Sequence, residues 1–199
     1  MTFRAGNCRV SVGVPFAAVL AALLLLDRSG AAAAGLAAAA LHEGAHLLVM
    51  RAFRCMPREV RFTPFGIDIV RPCPLDRSYR RDAVISLAGP LANLAAGLPA
   101  LLTGRPGLFY FAAANLILFT MNILPIEPLD GGQALYSLLC CRWSPERAAK
   151  TVSVLSFFVL TPLAALGFVV LFRSRYNFSL LLVCVYLTVL LVMKKDSQL

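Results

Sequence analysis

Six long apolar stretches, separated by short polar or charged segments, dominate the pattern of this sequence. They cover residues 10–26, 30–50, 83–103, 106–124, 151–172 and 178–193. A helix that crosses a bilayer needs about 17–25 mainly apolar residues, so the first and last stretches are at the short end of that range. Each stretch should be helical, because unpaired backbone groups find no water inside a bilayer. The pattern therefore predicts an all-α integral membrane protein with about six transmembrane helices.

The segment between the second and third apolar stretches has a different pattern. Apolar and polar residues partly alternate over residues 60–70, on both sides of Pro64-Phe65-Gly66. Alternation interrupted by a proline and a glycine is typical of two short strands joined by a turn. We expect a short β-hairpin here, on the cytoplasmic side of the membrane.

The composition supports the membrane interpretation. Of the 199 residues, 59% are apolar and 15% are charged, and the mean hydropathy is +0.77. Soluble domains average about 45–50% apolar and about 25% charged residues. A chain of this length cannot bury so much apolar surface in its own core, and such a composition also excludes intrinsic disorder.

The distribution of the basic residues predicts the orientation. The net charge is +9, but fifteen of the 19 lysines and arginines fall at the two termini and in the connections that share their side of the membrane. This is the bias of cytoplasmic loops, so we expect a multi-pass membrane protein with cytoplasmic N- and C-termini. No basic stripe with interleaved aromatic residues occurs, so we expect no nucleic-acid partner.

The N-terminus also has features of a cleaved signal peptide. Arg4 and Arg9 precede the first apolar stretch, and three alanines follow it at positions 31–33. The apolar run is longer than a usual signal-peptide core, which favours a retained first segment. Cleavage would leave the orientation of the later segments unchanged.

The two histidines of the chain, His42 and His46, lie in the second apolar stretch with Glu43 beside the first. Residues four apart share one face of a helix, so both imidazoles can reach one ion, and Glu43 can act as a base towards water there. Insertion of a carboxylate at the centre of a membrane helix costs about 2.5–3.5 kcal/mol on insertion scales. This cost favours a functional role for Glu43. The alternatives are a chance HExxH match, an intramembrane polar network or a proton path through Glu43.

A catalytic zinc site usually has three protein ligands, so a third is needed. The end of the fourth stretch offers Asp130, after a segment broken by Pro125 and Pro128. Glu127 is the competing ligand, although its position between two prolines suits a loop surface better. We expect Gly131 and Gly132 to give the backbone unusual freedom after Asp130. Without the two histidines, an ordinary Asp-Gly turn would be the preferred interpretation.

These motifs together resemble the site-2 protease family of intramembrane zinc metalloproteases. The resemblance rests on H-E-G-A-H in the second stretch, T-P-F-G in the hairpin, S-L-A-G-P-L-A-N at residues 86–93 and N-I-L-P-I-E-P-L-D-G-G at residues 122–132. The compact layout is most similar to the bacterial sporulation branch, which activates a membrane-bound sigma-factor precursor. This similarity implies a location in a bacterial cell membrane. Members of that branch commonly carry a C-terminal CBS domain. We expect none here and treat residues 1–199 as a single transmembrane metalloprotease domain, a departure that weakens the sporulation assignment.

The resemblance implies a role for each matching residue. His42, His46 and Asp130 would bind one Zn²⁺ per chain, with Glu43 as the general base. Asn122 would hold the substrate backbone, and the broken stretch at Pro125 and Pro128 would contribute to substrate binding. The implied partners are a membrane-bound protein substrate and a membrane regulatory protein.

The position of the motifs along their segments places the site towards the cytoplasmic side. The alternative to a protease is a non-proteolytic metal-binding membrane protein or a transporter. Against a transporter, the other apolar stretches carry almost no ionisable residues that could form an ion path.

Overall fold

The computed structural model describes residues 2–5, 8–57, 59–63, 66–70, 78–174 and 178–196. Most of this part of the chain is helical. The helices are α1 Val14–Leu26, α2 Ala31–Ala52, α3 Tyr79–Leu102, α4 Phe109–Asn122, α5 Asp130–Cys140, α6 Pro145–Ser174 and α7 Ser179–Asp196.

All six predicted apolar stretches contain a helix, but in the described part of the chain only three helices are long and apolar enough to cross a membrane. These are α2, α3 and α6, with 22, 24 and 30 residues. The other apolar helices are shorter; α1, for example, has 13 residues, or about 20 Å at 1.5 Å per residue, against a hydrocarbon core of about 30 Å. The structure thus supports a membrane protein with three candidate spanning helices, and the count of six remains a prediction.

The described residues also form a sheet of four strands. Its strands are β1 Thr2–Ala5, β2 Cys8–Val12, β3 Glu59–Thr63 and β4 Gly66–Val70, in the order β1-β2-β3-β4. β3 pairs antiparallel with β4, from Glu59 opposite Val70 to Thr63 opposite Gly66. These strands lie where the sequence predicts a hairpin; Pro64 and Phe65 lie outside the described residues, and the cytoplasmic location remains a prediction.

The start of the first apolar stretch is not helical, which corrects the expected segment over residues 10–26. Val10 to Val12 belong to β2, which pairs antiparallel with β1 and parallel with β3. The helix begins at Val14, with Pro15 in its first turn, where proline is tolerated because the first helical N–H groups have no partner within the helix. Apolar composition identified the segment, but it could not separate a strand from the helix that follows.

The loop before α2 is organised by Asp27. Its carboxylate accepts hydrogen bonds from the backbone N–H of Ala32 at 2.7 Å, and from the backbone N–H and hydroxyl of Ser29 at 2.9 and 2.6 Å. The Ser29 hydroxyl and these backbone groups lower the pKa of Asp27, since they stabilise its charged form. A carboxylate that accepts from the first turn of a helix satisfies a donor that the helix leaves open, which fixes where α2 begins.

The chain divides into two compact units. One comprises Met1–Ser78 with Ala88–Phe119, and the other Tyr79–Leu87 with Thr120–Leu199. In the first unit, α2 buries one face formed by every fourth residue, namely Ala38, His42, His46 and Met50. The second unit has an apolar core that contains Ile126, Leu160, Leu187 and Leu191.

Candidate metal centre

His42 and His46 lie on the buried face of α2, and only 6% of each side chain is exposed. The two rings meet edge to face, with their centroids 4.8 Å apart. Their Nε2 atoms face each other at 3.2 Å. Because the residues are one helical turn apart, the regular geometry of α2 alone is enough to bring these two nitrogens together.

The separation of the two nitrogens fits a shared metal ion. Zinc binds histidine nitrogen at about 2.0–2.1 Å in tetrahedral geometry, which places two such nitrogens about 3.3 Å apart. The observed 3.2 Å between the Nε2 atoms agrees with that value. The pair can therefore supply two of the ligands of a zinc ion with little movement of either ring.

Asp130 completes a set of three. One ligand atom from each of His42, His46 and Asp130 lies within 4.8 Å of the other two. Among the described residues, neither Glu127 nor Glu43 belongs to such a group. The three residues form a potential metal-binding group of two imidazoles and one carboxylate, a donor set that suits zinc. Glu127, the competing ligand in the sequence, is not part of it.

Gly89 of α3 has no side chain, and this leaves room for the two histidine rings. A Cβ atom built on Gly89 would lie 2.7 Å from both Cε1 and Nε2 of His42, and it would also collide with Nε2 of His46. Only a residue without a side chain can bring the backbone of α3 so close to the Nε2 atoms of the two histidines. The sequence singled out this glycine only through its motif, and the structure gives it a steric reason.

We predict that Gly89→Ala weakens zinc binding by about tenfold or more, since ligand orientation is commonly worth 10–100-fold in metal affinity. The added methyl group would occupy the position next to both Nε2 atoms and would turn at least one ring. Zinc affinity measured by chelator competition tests this. Gly35→Ala in α2 is the matched control, because no described atom lies within 4 Å of the Cβ it adds; equal losses in both variants would refute the steric account.

A second residue of α3, Asn93, holds His42 from the other side of its ring. Oδ1 of Asn93 lies 2.5 Å from Nδ1 of His42. The amide nitrogen of Asn93 donates to the carbonyl oxygen of Ala38 at 3.1 Å and to Oδ1 of Asn115 at 2.8 Å. Both asparagines are fully buried.

The connection between α4 and α5 carries Pro125 and Pro128 and is anchored to α6. The backbone N–H of Glu127 donates to the hydroxyl of Ser156 at 2.9 Å, and that hydroxyl donates to the carbonyl of Val152 at 2.7 Å. Ile126 is fully buried in the apolar core of its unit. The two prolines interrupt the helical path, and these contacts hold the broken backbone in one conformation.

Gly131 and Gly132 act differently from the sequence expectation. Neither has a positive φ, and both lie in the first turn of α5, which starts at Asp130. A Cβ on Gly131 would lie 2.5 Å from the carbonyl oxygen of Leu124, and one on Gly132 would lie 2.8 Å from the backbone nitrogen of Glu127. The glycines are therefore required by close contact between α5 and the preceding connection, and not by backbone freedom.

The remaining predicted residues lie in α2, in α4 and in the connection that follows α4. Glu43 is partly buried in α2, next to His42, and Asn122 is the last residue of α4. Pro125 and Pro128 lie in the connection that follows. Their catalytic and substrate-binding roles remain predictions.

Sequence reasoning missed Asn115 and Ser156 and gave no role to the side chain of Asn93. Each is a buried polar residue on an otherwise apolar helix. A single polar residue within an apolar stretch was the sign that could have identified them, because such a side chain in a membrane helix usually forms a hydrogen bond with a neighbouring helix.

Comparison with known proteins gives a consistent result. The model of peptidase family M50 matches residues 103–163, which include Asn122 and Asp130 but not the two histidines. A zinc metalloprotease of Methanocaldococcus jannaschii is 23% identical over 168 residues, or 79% of this chain. Stage IV sporulation protein FB of Bacillus subtilis is 28% identical over 131 residues, or 62% of this chain.

The chain spans about half the length of these curated relatives, since each alignment covers 46% of the relative. Among solved structures, a site-2 protease from Methanocaldococcus jannaschii has a similar fold. It matches 94% of this chain and 91% of its own with a TM-score of 0.62 at 19% sequence identity.

Proposed function

We propose that the chain is a member of the site-2 protease family, peptidase family M50, and that it is an intramembrane zinc metalloprotease; the match of residues 103–163 to the family model supports this. It cleaves a membrane-associated protein within or next to the membrane segment of that substrate. The observation that carries the proposal is the buried pair of His42 and His46, whose Nε2 atoms are 3.2 Å apart on a helix long enough to span a bilayer. Asp130 completes the donor set.

Each residue of the site has one task. His42, His46 and Asp130 hold one zinc ion per chain, and Glu43 is the general base. A zinc ion held by these residues would supply Lewis-acid chemistry: it would polarise the scissile carbonyl and lower the pKa of water towards about 7. Glu43 takes the proton of the attacking water and delivers it to the leaving amine. Glu43 lies next to His42 on α2 and is not part of the group of three potential ligands.

The connection between α4 and α5, which contains Pro125 and Pro128, binds the substrate. A helical substrate hides its carbonyl groups in i→i−4 bonds, so the part to be cut must unwind and find other partners. Asn122, with the backbone near Pro125 and Pro128, offers such partners, and the anchors at Ile126 and Ser156 keep that segment rigid. The edge of the β3–β4 hairpin can add an extended substrate segment as a further strand.

The protein is expected to act in a bacterial cell membrane, with both termini and the active site on the cytoplasmic side. The charge bias of the sequence supports this orientation. A sporulation sigma-factor precursor is one candidate substrate, supported by the name of the Bacillus subtilis relative. A membrane regulatory protein is a further expected partner.

The proposal is tested with purified protein and a panel of single-span model substrates in the same liposomes. We expect a cut that mass spectrometry maps within or next to the membrane segment, that stops with 1,10-phenanthroline and resumes with added zinc. Cleavage that survives complete removal of zinc would contradict the mechanism. Zinc flux across the liposome without cleavage of any substrate would favour the transporter alternative.

A further inference from the structure

We propose that Asn93 and Asn115 are positioning residues that fix the tautomer of His42. They form an amide relay, defined here as the hydrogen-bonded series from the carbonyl of Phe111 through Asn115 and Asn93 to Nδ1 of His42. The relay holds the proton on Nδ1 and leaves the lone pair of Nε2 directed towards His46. This inference rests on the proposed zinc site and assigns roles to two residues that do not touch the ion.

The direction of donation along the relay is fixed first by the backbone carbonyl of Ala38, because a carbonyl oxygen can only accept hydrogen bonds. The atom of Asn93 that lies 3.1 Å from the carbonyl oxygen of Ala38 must therefore be its amide nitrogen. The other terminal atom of Asn93 is then an oxygen, and it lies 2.5 Å from Nδ1 of His42. Since this oxygen can only accept, Nδ1 of His42 must carry the hydrogen.

A second carbonyl fixes the same direction independently. Asn115 donates from its amide nitrogen to the carbonyl oxygen of Phe111 at 2.8 Å. Its remaining oxygen therefore faces Asn93, from which it accepts at 2.8 Å. Reversal of either amide would place two oxygens or two N–H groups against each other. Two acceptors on two helices thus impose one orientation on the whole series.

The consequence concerns the nitrogen on the opposite side of the ring. A neutral imidazole has one N–H and one lone pair, so a proton held on Nδ1 leaves Nε2 as a metal ligand. Histidine ligands commonly donate their second N–H to a carboxylate or carbonyl, and loss of that partner typically costs 10–100-fold in metal affinity. In this chain the amide of Asn93 occupies that position, and its orientation is set by the carbonyl of Ala38 and by Asn115.

The location of the relay explains why it is rigid. Asn93 and Asn115 have no exposed surface, and Asn93 links α2 to α4 from its place on α3. Among the described residues, no buried side-chain nitrogen or oxygen lacks a hydrogen-bond partner. Water cannot substitute for a lost partner in so closely packed a place, so each amide has a single favourable orientation.

The test compares zinc affinity, measured by chelator competition, with thermal unfolding in the purified full chain. We expect Asn93→Leu to lower zinc affinity by about 10–100-fold and Asn115→Leu by about tenfold. Asn93→Asp should recover most of the affinity, because a carboxyl oxygen can accept from Nδ1 of His42 as the amide oxygen of Asn93 does. Ser86→Ala is the control, since it removes another buried polar group of α3 that is not part of the relay.

The double variant Asn93→Leu/Asn115→Leu separates positioning from folding. Replacing both amides by apolar groups removes the unsatisfied partner that each single variant leaves, so thermal stability should partly recover relative to Asn93→Leu. Zinc affinity should stay low, because His42 still lacks its acceptor. The cobalt-substituted double variant should also show a changed visible spectrum, which a loss of stability alone would not produce.

The outcomes distinguish this inference from the proposed function. If wild type binds zinc through His42 but Asn93→Leu keeps that affinity, the relay has no positioning role and the zinc site stands. Better zinc binding by Asn93→Leu than by Asn93→Asp would identify Asn93 as packing only. If wild type binds no zinc, both the inference and the proposed function fail.

Discussion

Replacing Glu43 by glutamine is expected to abolish cleavage while the protein keeps its zinc. The amide has nearly the shape of the carboxylate but cannot take the proton of the attacking water, and general-base catalysis contributes about 10²–10⁴-fold to rate. The three residues of the metal-binding group, His42, His46 and Asp130, are unchanged in this variant. Cleavage of a co-expressed single-span substrate by immunoblot, beside zinc content by elemental analysis, measures both effects.

The matched control for this variant is Asp130→Asn, which removes a charged ligand in place of the base. We expect it to lose zinc and activity together, whereas Glu43→Gln should lose activity alone. Cleavage at the wild-type rate by Glu43→Gln would show that this residue is not the base. Loss of zinc from Glu43→Gln would instead assign its carboxylate to the ion.

Replacing Gly132 by alanine is expected to disrupt the start of α5. The new Cβ would lie 2.8 Å from the backbone nitrogen of Glu127 and closer still to the carbonyl group of Ile126. The segment it meets is held by a fully buried Ile126 and by the hydroxyl of Ser156, so the helix must move. Overpacking of this kind costs about 1–3 kcal/mol in the free energy of unfolding.

The movement should also reach the metal site, because Asp130 begins the same helix two residues earlier. We therefore expect Gly132→Ala to lower both the unfolding temperature and the zinc occupancy of the purified protein. Gln133→Ala, at the exposed neighbouring position of α5, is the control and should change neither. A fully stable, zinc-loaded Gly132→Ala protein would contradict the close contact described above.

The residues of the potential metal-binding group could be singled out in the sequence because histidines and carboxylates are unusual in or beside apolar membrane stretches. His42, Glu43 and His46 stand in an apolar stretch at helical spacing, and Asp130 follows a helix broken by proline. The structure groups the two histidines with Asp130. The helical content of the apolar stretches was predictable for a related reason, since the bilayer leaves the backbone few alternatives.

Other features depended on contacts that no local pattern encodes. The pairing of β2 with β3 joins segments separated by the whole of α1 and α2. The reason for Gly132 lies in the backbone of Ile126 and Glu127, which only the folded connection brings against α5. Asn115 is an ordinary asparagine in sequence, and its link to His42 through Asn93 requires three helices to be in place.

The number of membrane crossings could not be fixed by composition alone. Apolar stretches over residues 10–26 and 178–193 are almost long enough to span, yet part of the first belongs to a strand. An apolar run indicates that a segment is buried in protein or membrane. The number of its residues that are helical depends on where the neighbouring elements begin and end.

The zinc content of the purified protein tests the central claim most directly. Elemental analysis of wild type and of the His42→Ala/His46→Ala double variant should be made on the same mildly purified material. The three-ligand site predicts about one zinc per chain in wild type and almost none in the double variant. Full zinc retention in the double variant would contradict the proposed metal centre, and with it the protease mechanism.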